Sequence, residues 1–254
     1  MVSIFQALIL GIIQGITEWL PVSSSGHLVL MQNLFGLEPP VIFDLVLHIG
    51  SLLVVFIVFW KDIKELVLGV IKKDRKYLSY ALFLILSTIP IGFVGIIFNS
   101  QIKAVFNDPR TVGFSLLFTA MLLFLSRFPK KKNKRLNLKN ILVIGFAQAL
   151  AILPGVSRSG STISVGLIQG VNREEAARFS FLMFIPAILG ATLMEIKDIA
   201  ALTADIPALV IGTLAAVITG VISLKLLLAI IKKDSFHHFA WYCLALGIVI
   251  LLII

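Results

Sequence analysis

Long apolar runs dominate the chain, with only short polar stretches between them. Six runs, at about 41–60, 77–98, 112–126, 178–196, 207–231 and 239–254, are predicted to be membrane-spanning helices, the third and last of them short. Two further apolar regions, about 3–37 and 140–170, are interrupted midway by Pro, Gly and Ser. Neither reads as a clean span, and each can dip into the bilayer and return on the same side.

Loop charges test that idea, because Lys and Arg near span ends are retained on the cytoplasmic side. With both interrupted regions re-entrant, loops 61–76, 127–139, 171–178 and 232–238 share one side and hold most of the 22 Lys and Arg. The opposite side holds only Lys103, Arg110 and Lys197. Lys225 lies near the cytoplasmic end of its span, where a long side chain can snorkel, so only Arg158 is left deep. If just one interrupted region crossed fully, every later loop would change sides and the asymmetry would be scrambled. Both are therefore re-entrant, or both span. In the re-entrant arrangement the first enters from outside, the second from the cytoplasm, and both termini lie outside.

Sliding the chain on itself so that Leu8 meets Leu142 aligns LILGIIQGITEWLPVSSSG with LVIGFAQALAILPGVSRSG. Gly11/Gly145, Gln14/Gln148, Val22/Val156, Ser23/Ser157, Ser25/Ser159 and Gly26/Gly160 also coincide. Matched Gln, Ser and Gly exceed what two generic apolar segments would share. The expected fold is an all-α integral membrane protein over 1–254, a single membrane domain. It has six transmembrane helices plus two re-entrant helix-break-helix segments, in inverted-topology repeats of about 1–126 and 140–254 joined by a basic cytoplasmic loop, 127–139. Such repeats bring discontinuous helices together near the midplane, which predicts one shared site.

Composition agrees: 59% of the 254 residues are apolar and 14% charged, which excludes one soluble domain. The net charge of +9 is spread over short loops between apolar runs, as membrane topology would place it, and argues against nucleic acid as a partner. Cys243 is the only cysteine, so no intramolecular disulfide and no thiolate metal cluster can form. The first residues lack an early basic stretch and carry Glu18 where a signal peptide would be cleaved, so they are expected to be mature structure.

The repeated stretch carries the chemistry. Its first copy reads Gln14-Gly-Ile-Thr-Glu18-Trp-Leu-Pro21-Val-Ser23-Ser24-Ser25-Gly26-His27. Gln14 and Glu18, four apart, share a helix face, while Pro21 disfavours helical geometry at Leu20 and marks a break. Ser23 to Gly26 then resembles a capping segment opening a second helix, whose free N–H groups attract an anion. The second copy, Leu153-Pro154-Gly155-Val-Ser157-Arg158-Ser159-Gly160-Ser161-Thr162, repeats the break and adds a guanidinium able to grip phosphate oxygens with two parallel bonds. Ionisable groups at this depth are costly, so Glu18, His27 and Arg158 need partners or water, and function is the default reading. Small residues also serve close helix packing, and Glu18 with Arg158 could form a purely structural ion pair; the combination favours a phosphate-handling site. His48 lies in a span without a companion motif and reads as structural, and His237 with His238 sits in a basic cytoplasmic turn.

At these residues the sequence resembles the undecaprenyl-diphosphate phosphatases of the bacitracin-resistance type. That family's (E/Q)xxxE pattern running into PVSS(S/T)GH, and its PGxSRSxxT segment, are present as Gln14-xxx-Glu18, Pro21 to His27 and Pro154 to Thr162, and RFSFLMFIPA from Arg178 extends the likeness. The resemblance implies a bacterial plasma-membrane enzyme that removes the terminal phosphate of a C55 polyprenyl diphosphate, yielding the monophosphate carrier of cell-wall synthesis. It also implies bacitracin resistance on overexpression, cleavage at the outer face, and a divalent cation, Mg2+ or Ca2+, with Glu18 and Gln14 as the candidate ligands. Either Glu or Gln occupies the family's first acidic position, and this chain has Gln14.

A mechanism consistent with both lines has Ser24 attack the terminal phosphorus, His27 take its proton, and Arg158 with Ser157, Ser159, Gly160, Ser161 and Thr162 hold the oxyanions, Ser23, Ser25 and Gly26 adding contacts or caps. Attack by an activated water is the mechanistic rival. A transporter or flippase for anions or lipid phosphates is the alternative function, for which inverted repeats are equally natural; pure transport has no need of Ser and His at catalytic spacing. The lipid phosphatases with a KxxxxxxRP signature are set aside, that signature and a second active-site His being absent. Both a monomer and a homodimer fit the sequence.

Overall fold

The computed structural model describes residues 2–37, 41–105, 108–128, 135–194 and 206–254. Lys197, most of the expected outward loop 197–206 and positions 129–134 of the basic loop lie outside them. The described elements are helices: α1 (Ile4–Thr17), α2 (Ser24–Leu34), α3 (Val41–Val58), α4 (Trp60–Ile71), α5 (Arg75–Ile97), α6 (Asn99–Val105), α7 (Pro109–Leu125), α8 (Leu138–Leu150), α9 (Arg158–Ile168), α10 (Arg173–Met194), α11 (Ile206–Lys232) and α12 (Phe239–Ile253), with a 3-10 turn at Phe236–His238. Local signals start several of them. Ser3 and Gln6 form a reciprocal capping box on α1, and Asp74, Asp108 and Asn137 cap α5, α7 and α8 through their side chains.

Among the described residues four helices, Arg75–Ile97, Arg173–Met194, Ile206–Lys232 and Phe236–Ile253, are long and apolar enough to cross a membrane. A fifth is added if α3 and α4, bent by 81° at Phe59, count as one span. The chain is a multi-pass membrane protein. Each expected run coincides with a helix, and the short run at 112–126 is the 17-residue α7.

Both interrupted regions fold into helical hairpins. In the second, Asn140 at the start of α8 donates to Gln169 just after α9 at 2.9 Å, so the chain returns to the end from which it set out. In the first, Val2 and Ala7 share an apolar cluster with Met31, Phe35 and Leu37. The packing partners mirror each other: α1 lies mainly against α11 and α8 mainly against α5, while α7 and α12 pair together.

Small residues make the α1–α11 contact possible. A Cβ on Gly11 would stand 2.1 Å from the Gly212 carbonyl oxygen, and one on Gly15 would stand 2.1 Å from Thr219 Oγ1. Gly11 and Gly15 lie on one face of α1, and Gly212, Ala216 and Gly220 line the opposing face of α11 at the same spacing. The backbones touch, which in hydrocarbon replaces the missing hydrophobic drive with van der Waals contact. Gly11→Val should therefore lower the melting temperature of the purified protein in detergent, overpacking costing about 1–3 kcal/mol. Gly92→Val, in a helix where an added Cβ meets nothing within 4 Å, should leave it unchanged; equal melting of the two variants would contradict the contact.

Candidate active site

Each hairpin turns at its motif. α1 ends at Thr17 with Glu18 as its C-cap, and the chain crosses Trp19 to Val22 before Ser23 caps α2, its hydroxyl accepting from Gly26 N at 3.3 Å. In the second hairpin Ser157 caps α9 in the same way, accepting from Gly160 N at 3.0 Å. The capping expectation is met at both positions. The two turns differ in one respect: Ser23 has φ 70°, a left-handed value, whereas Ser157 has φ −74°. Non-glycine residues rarely adopt the former, at a cost of roughly 1–3 kcal/mol, and they concentrate at functional sites. In the second motif it is Gly155, φ 93°, that takes the left-handed turn, and a Cβ there would stand 2.6 Å from the Val112 carbonyl oxygen.

The two turns meet. Arg158 Nη2 donates to Glu18 Oε1 at 3.0 Å and Ser159 Oγ lies 3.4 Å from the Leu20 carbonyl oxygen, while a Cβ on Gly26 would stand 3.0 Å from Gly155 Cα. Glu18 is the hub. Its Oε2 accepts from Ser24 Oγ at 2.5 Å and from Gln14 Nε2 at 3.2 Å, and His48 Nε2 lies 3.3 Å from the same oxygen. Arg158 also donates from Nη1 to the Ser180 carbonyl at 3.1 Å, and its guanidinium carbon lies 4.3 Å from the Phe184 ring centre. Both Glu18 and Arg158 are largely buried, so each charge offsets the desolvation cost of the other.

The remaining residues named from sequence fall around this hub. Ser23 and Ser25 share a 3.3 Å hydroxyl contact, as do Ser157 and Ser159. Thr162 Oγ1 pairs with Ser180 Oγ at 2.6 Å, and Ser157 N donates to Thr119 Oγ1 at 3.1 Å. Among the described residues, the buried Arg158 Nε, Ser161 Oγ and Gln14 Oε1 have no protein partner. His27 is placed differently from the sequence expectation: Nδ1 bonds the Ser23 carbonyl oxygen at 2.7 Å and Nε2 bonds Tyr242 Oη at 2.7 Å, the rings stacking. Its spacing from Ser24 follows a helical turn, but Ser24 Oγ points to Glu18.

Sequence reasoning missed His48, Tyr242 and Ser180 at the site, and Ser51, whose Oγ accepts from Gln14 Nε2 at 3.2 Å. A histidine within an apolar span was itself the available signal, since ionisable groups there need a named partner; its partner lies in another segment, and local pattern could not supply it. Of the expected ligands, Glu18 is met by donors on both oxygens, while Gln14 keeps its Oε1 without a protein partner among the described residues. Guanidinium, hydroxyl, amide N–H and imidazole surround the Glu18 carboxylate, and Gln14 turns its Nε2 toward it. Among the described residues no three His, Cys, Asp or Glu side chains gather to hold a metal ion. What the arrangement offers is a hydroxyl hydrogen-bonded to a carboxylate, beside a cation and two helix N-termini: a nucleophile with a base and a place for negative charge.

Comparison with known proteins agrees with this constellation. Proteins named undecaprenyl-diphosphatase from Methanosphaera stadtmanae and Halothermothrix orenii are each 43% identical, over 100% of this chain and 99% of the first and over 99% of this chain and 98% of the second. One from Bacteroides fragilis, with the same name, is 42% identical over 98% of this chain and 97% of its own. Residues 7–249 match the family described as bacitracin resistance protein BacA, and the chain belongs to that family.

Proposed function

We propose that this chain hydrolyses undecaprenyl diphosphate to undecaprenyl phosphate and inorganic phosphate, the activity in its relatives' name, and so returns the lipid carrier of cell-wall synthesis to its monophosphate form. The observation that carries the reading is the 2.5 Å bond from Ser24 Oγ to Glu18 Oε2, set beside a guanidinium from the other half of the chain. Ser24 Oγ attacks the terminal phosphorus as its proton passes to Glu18 Oε2. The bond from that phosphorus to the bridging oxygen breaks, and its electron pair leaves with undecaprenyl phosphate. Water then attacks the phosphoserine, Ser24 Oγ takes the proton back from Glu18 as it departs, and inorganic phosphate is released.

Arg158 faces the developing charge with its unpartnered Nε–H, and the first-turn N–H groups of α2 and α9 add donors that need not reorganise. Glu18 takes the base role in this reading because it, and not His27, holds the Ser24 hydroxyl. His27 and Tyr242 instead brace the first turn of α2. A divalent cation, magnesium or calcium, would come with the diphosphate oxygens and not from a protein cage.

The same reading sets the protein in the plasma membrane with α3, α5, α7, α10, α11 and α12 as six crossings. The two hairpins are re-entrant from opposite sides, both termini and the site face outward, and the halves are inverted repeats. Supporting this are the mirrored packing, the return of each hairpin to its starting end, and the crowding of basic residues into alternate loops. In a Cys243→Ala background, Lys73→Cys should be shielded from an impermeant thiol reagent in intact cells and Asp108→Cys should react; the opposite pattern would overturn the map.

The proposed reaction is tested by phosphate release from a long-chain polyprenyl diphosphate by purified protein in detergent, where a transporter would release none. Ser24→Ala should abolish turnover, whereas Ser23→Ala and Ser25→Ala should retain measurable activity, since losing a cap costs about 0.5–2 kcal/mol of stability. Glu18→Gln should fail equally at low and high divalent-ion concentration, and rescue by added cation would restore Glu18 as a ligand.

Arg158→Lys should turn over roughly a hundredfold to a thousandfold more slowly while remaining folded, because a point ammonium lacks the planar fork. Near-normal rates would reduce Arg158 to a structural partner of Glu18.

A further inference from the structure

Neither motif contains His48, yet α3 presents it to the centre of the site. Its ring is fixed from both ends. Nδ1 bonds the Asp44 carbonyl oxygen, one turn earlier on the same helix, at 2.7 Å, and Nε2 lies 3.3 Å from Glu18 Oε2. Both neighbours are acceptors, so a ring protonated at both nitrogens would donate to each. Three residues further along α3, Ser51 Oγ accepts from Gln14 Nε2 at 3.2 Å, and the same nitrogen reaches Glu18 Oε2. α3 thus contacts the carboxylate directly through His48 and at one remove through Ser51. The helix is in turn tied to the element that carries the nucleophile, because the Asp44 carboxylate accepts from Gln32 Nε2 on α2 at 2.7 Å.

The consequence is geometric. Arg158 holds Glu18 at Oε1, and among the described residues the only bonded side-chain donor on Oε2 besides Ser24 itself is the Gln14 amide at 3.2 Å, whose nitrogen is shared with Ser51. His48, 3.3 Å from Oε2, adds a restraint from α3 on the Cγ–Cδ torsion, beside Gln14 and on the oxygen that Ser24 uses. We propose that His48 is a positioning residue of this enzyme: it acts through Glu18, donating from Nε2 to Oε2, and thereby aims the carboxylate at Ser24 Oγ. The inference rests on the reading of Glu18 as the base for Ser24. It concerns a residue outside both motifs and adds α3 to the elements that build the site.

A purely structural His48 would clamp α3 to α1, and its loss would lower the folded fraction without changing how each folded molecule works. The test separates the two. His48→Gln carries an amide N–H that can reach Oε2; His48→Asn is equally polar but too short; His48→Leu has no donor. Each is purified in detergent and compared for melting temperature, kcat and KM in phosphate release from a long-chain polyprenyl diphosphate, alongside Glu18→Gln.

For His48→Asn and His48→Leu, kcat should fall about a hundredfold, the scale of a small misplacement of a reacting group, with KM unchanged. His48→Gln should recover most of kcat. Equal kcat in the Gln and Asn variants, or normal kcat in folded His48→Leu, overturns the proposal, and the Gln–Asn comparison decides even where His48→Leu does not fold. An active Glu18→Gln would instead refute the base assignment on which the proposal stands.

Discussion

A carboxylate and a guanidinium buried in one apolar chain have to find each other, and the pair formed by Glu18 and Arg158 spans 140 residues of sequence. Left alone, either charge would cost several kcal/mol in such surroundings, so the pair constrains how the two hairpins dock. Their turning points must meet. Everything at the site follows from that meeting: Ser24 reaches Oε2 because Arg158 occupies Oε1, and Ser159 approaches Leu20 because Arg158 begins α9. The pair is weak evidence for stability and strong evidence for placement.

Close approach of helices makes the placement possible. Gly11 and Gly15 let α1 press on α11, while Gly26 and Gly155 let the two turns come within contact distance. On the other side of the first turn Trp19 is fully buried, packing edge-on to Phe181 and Phe184 with ring centres 5.8 and 5.4 Å away. Phe184 is also the ring beside the Arg158 guanidinium, so one aromatic side chain of α10 touches both motifs. A polar centre is thereby walled by aromatic packing, and such a setting strengthens every hydrogen bond made inside it.

Much of this was legible in the sequence because membrane proteins write their constraints locally. The apolar runs located the helices, and Pro21 and Pro154 marked the breaks. Ser23 and Ser157, aligned by internal similarity, became the two caps. The pairing of Glu18 with Arg158 was foreseeable as a rule that buried charges need partners, and spacing placed Gln14 with Glu18. His48, Ser51, Ser180 and Tyr242 were not legible, since each reaches the site from a distant helix whose facing depends on packing and leaves no mark in local spacing. The expected role of His27 rested on spacing alone: three residues separate it from Ser24, whereas its ring bonds Tyr242 on α12 and the Ser23 carbonyl, contacts that spacing does not reveal. The alternation of charged loops gave an orientation, and nothing in a stretch of sequence could have given the 81° bend after α3.

At the centre of the proposed reaction stands the hydrogen bond from Ser24 to Glu18, read as one unit in which Glu18 works through Ser24. Groups that act as one unit do not lose activity independently, so a double-mutant cycle addresses the claim directly. The measurement is kcat for phosphate release by Ser24→Ala, Glu18→Gln and the double variant, each normalised to folded protein. If Glu18 acts through Ser24, the double variant will turn over no more slowly than the slower single variant. Losses that multiply would show the two side chains contributing separately, and would contradict the hydroxyl–carboxylate pair as the catalytic unit.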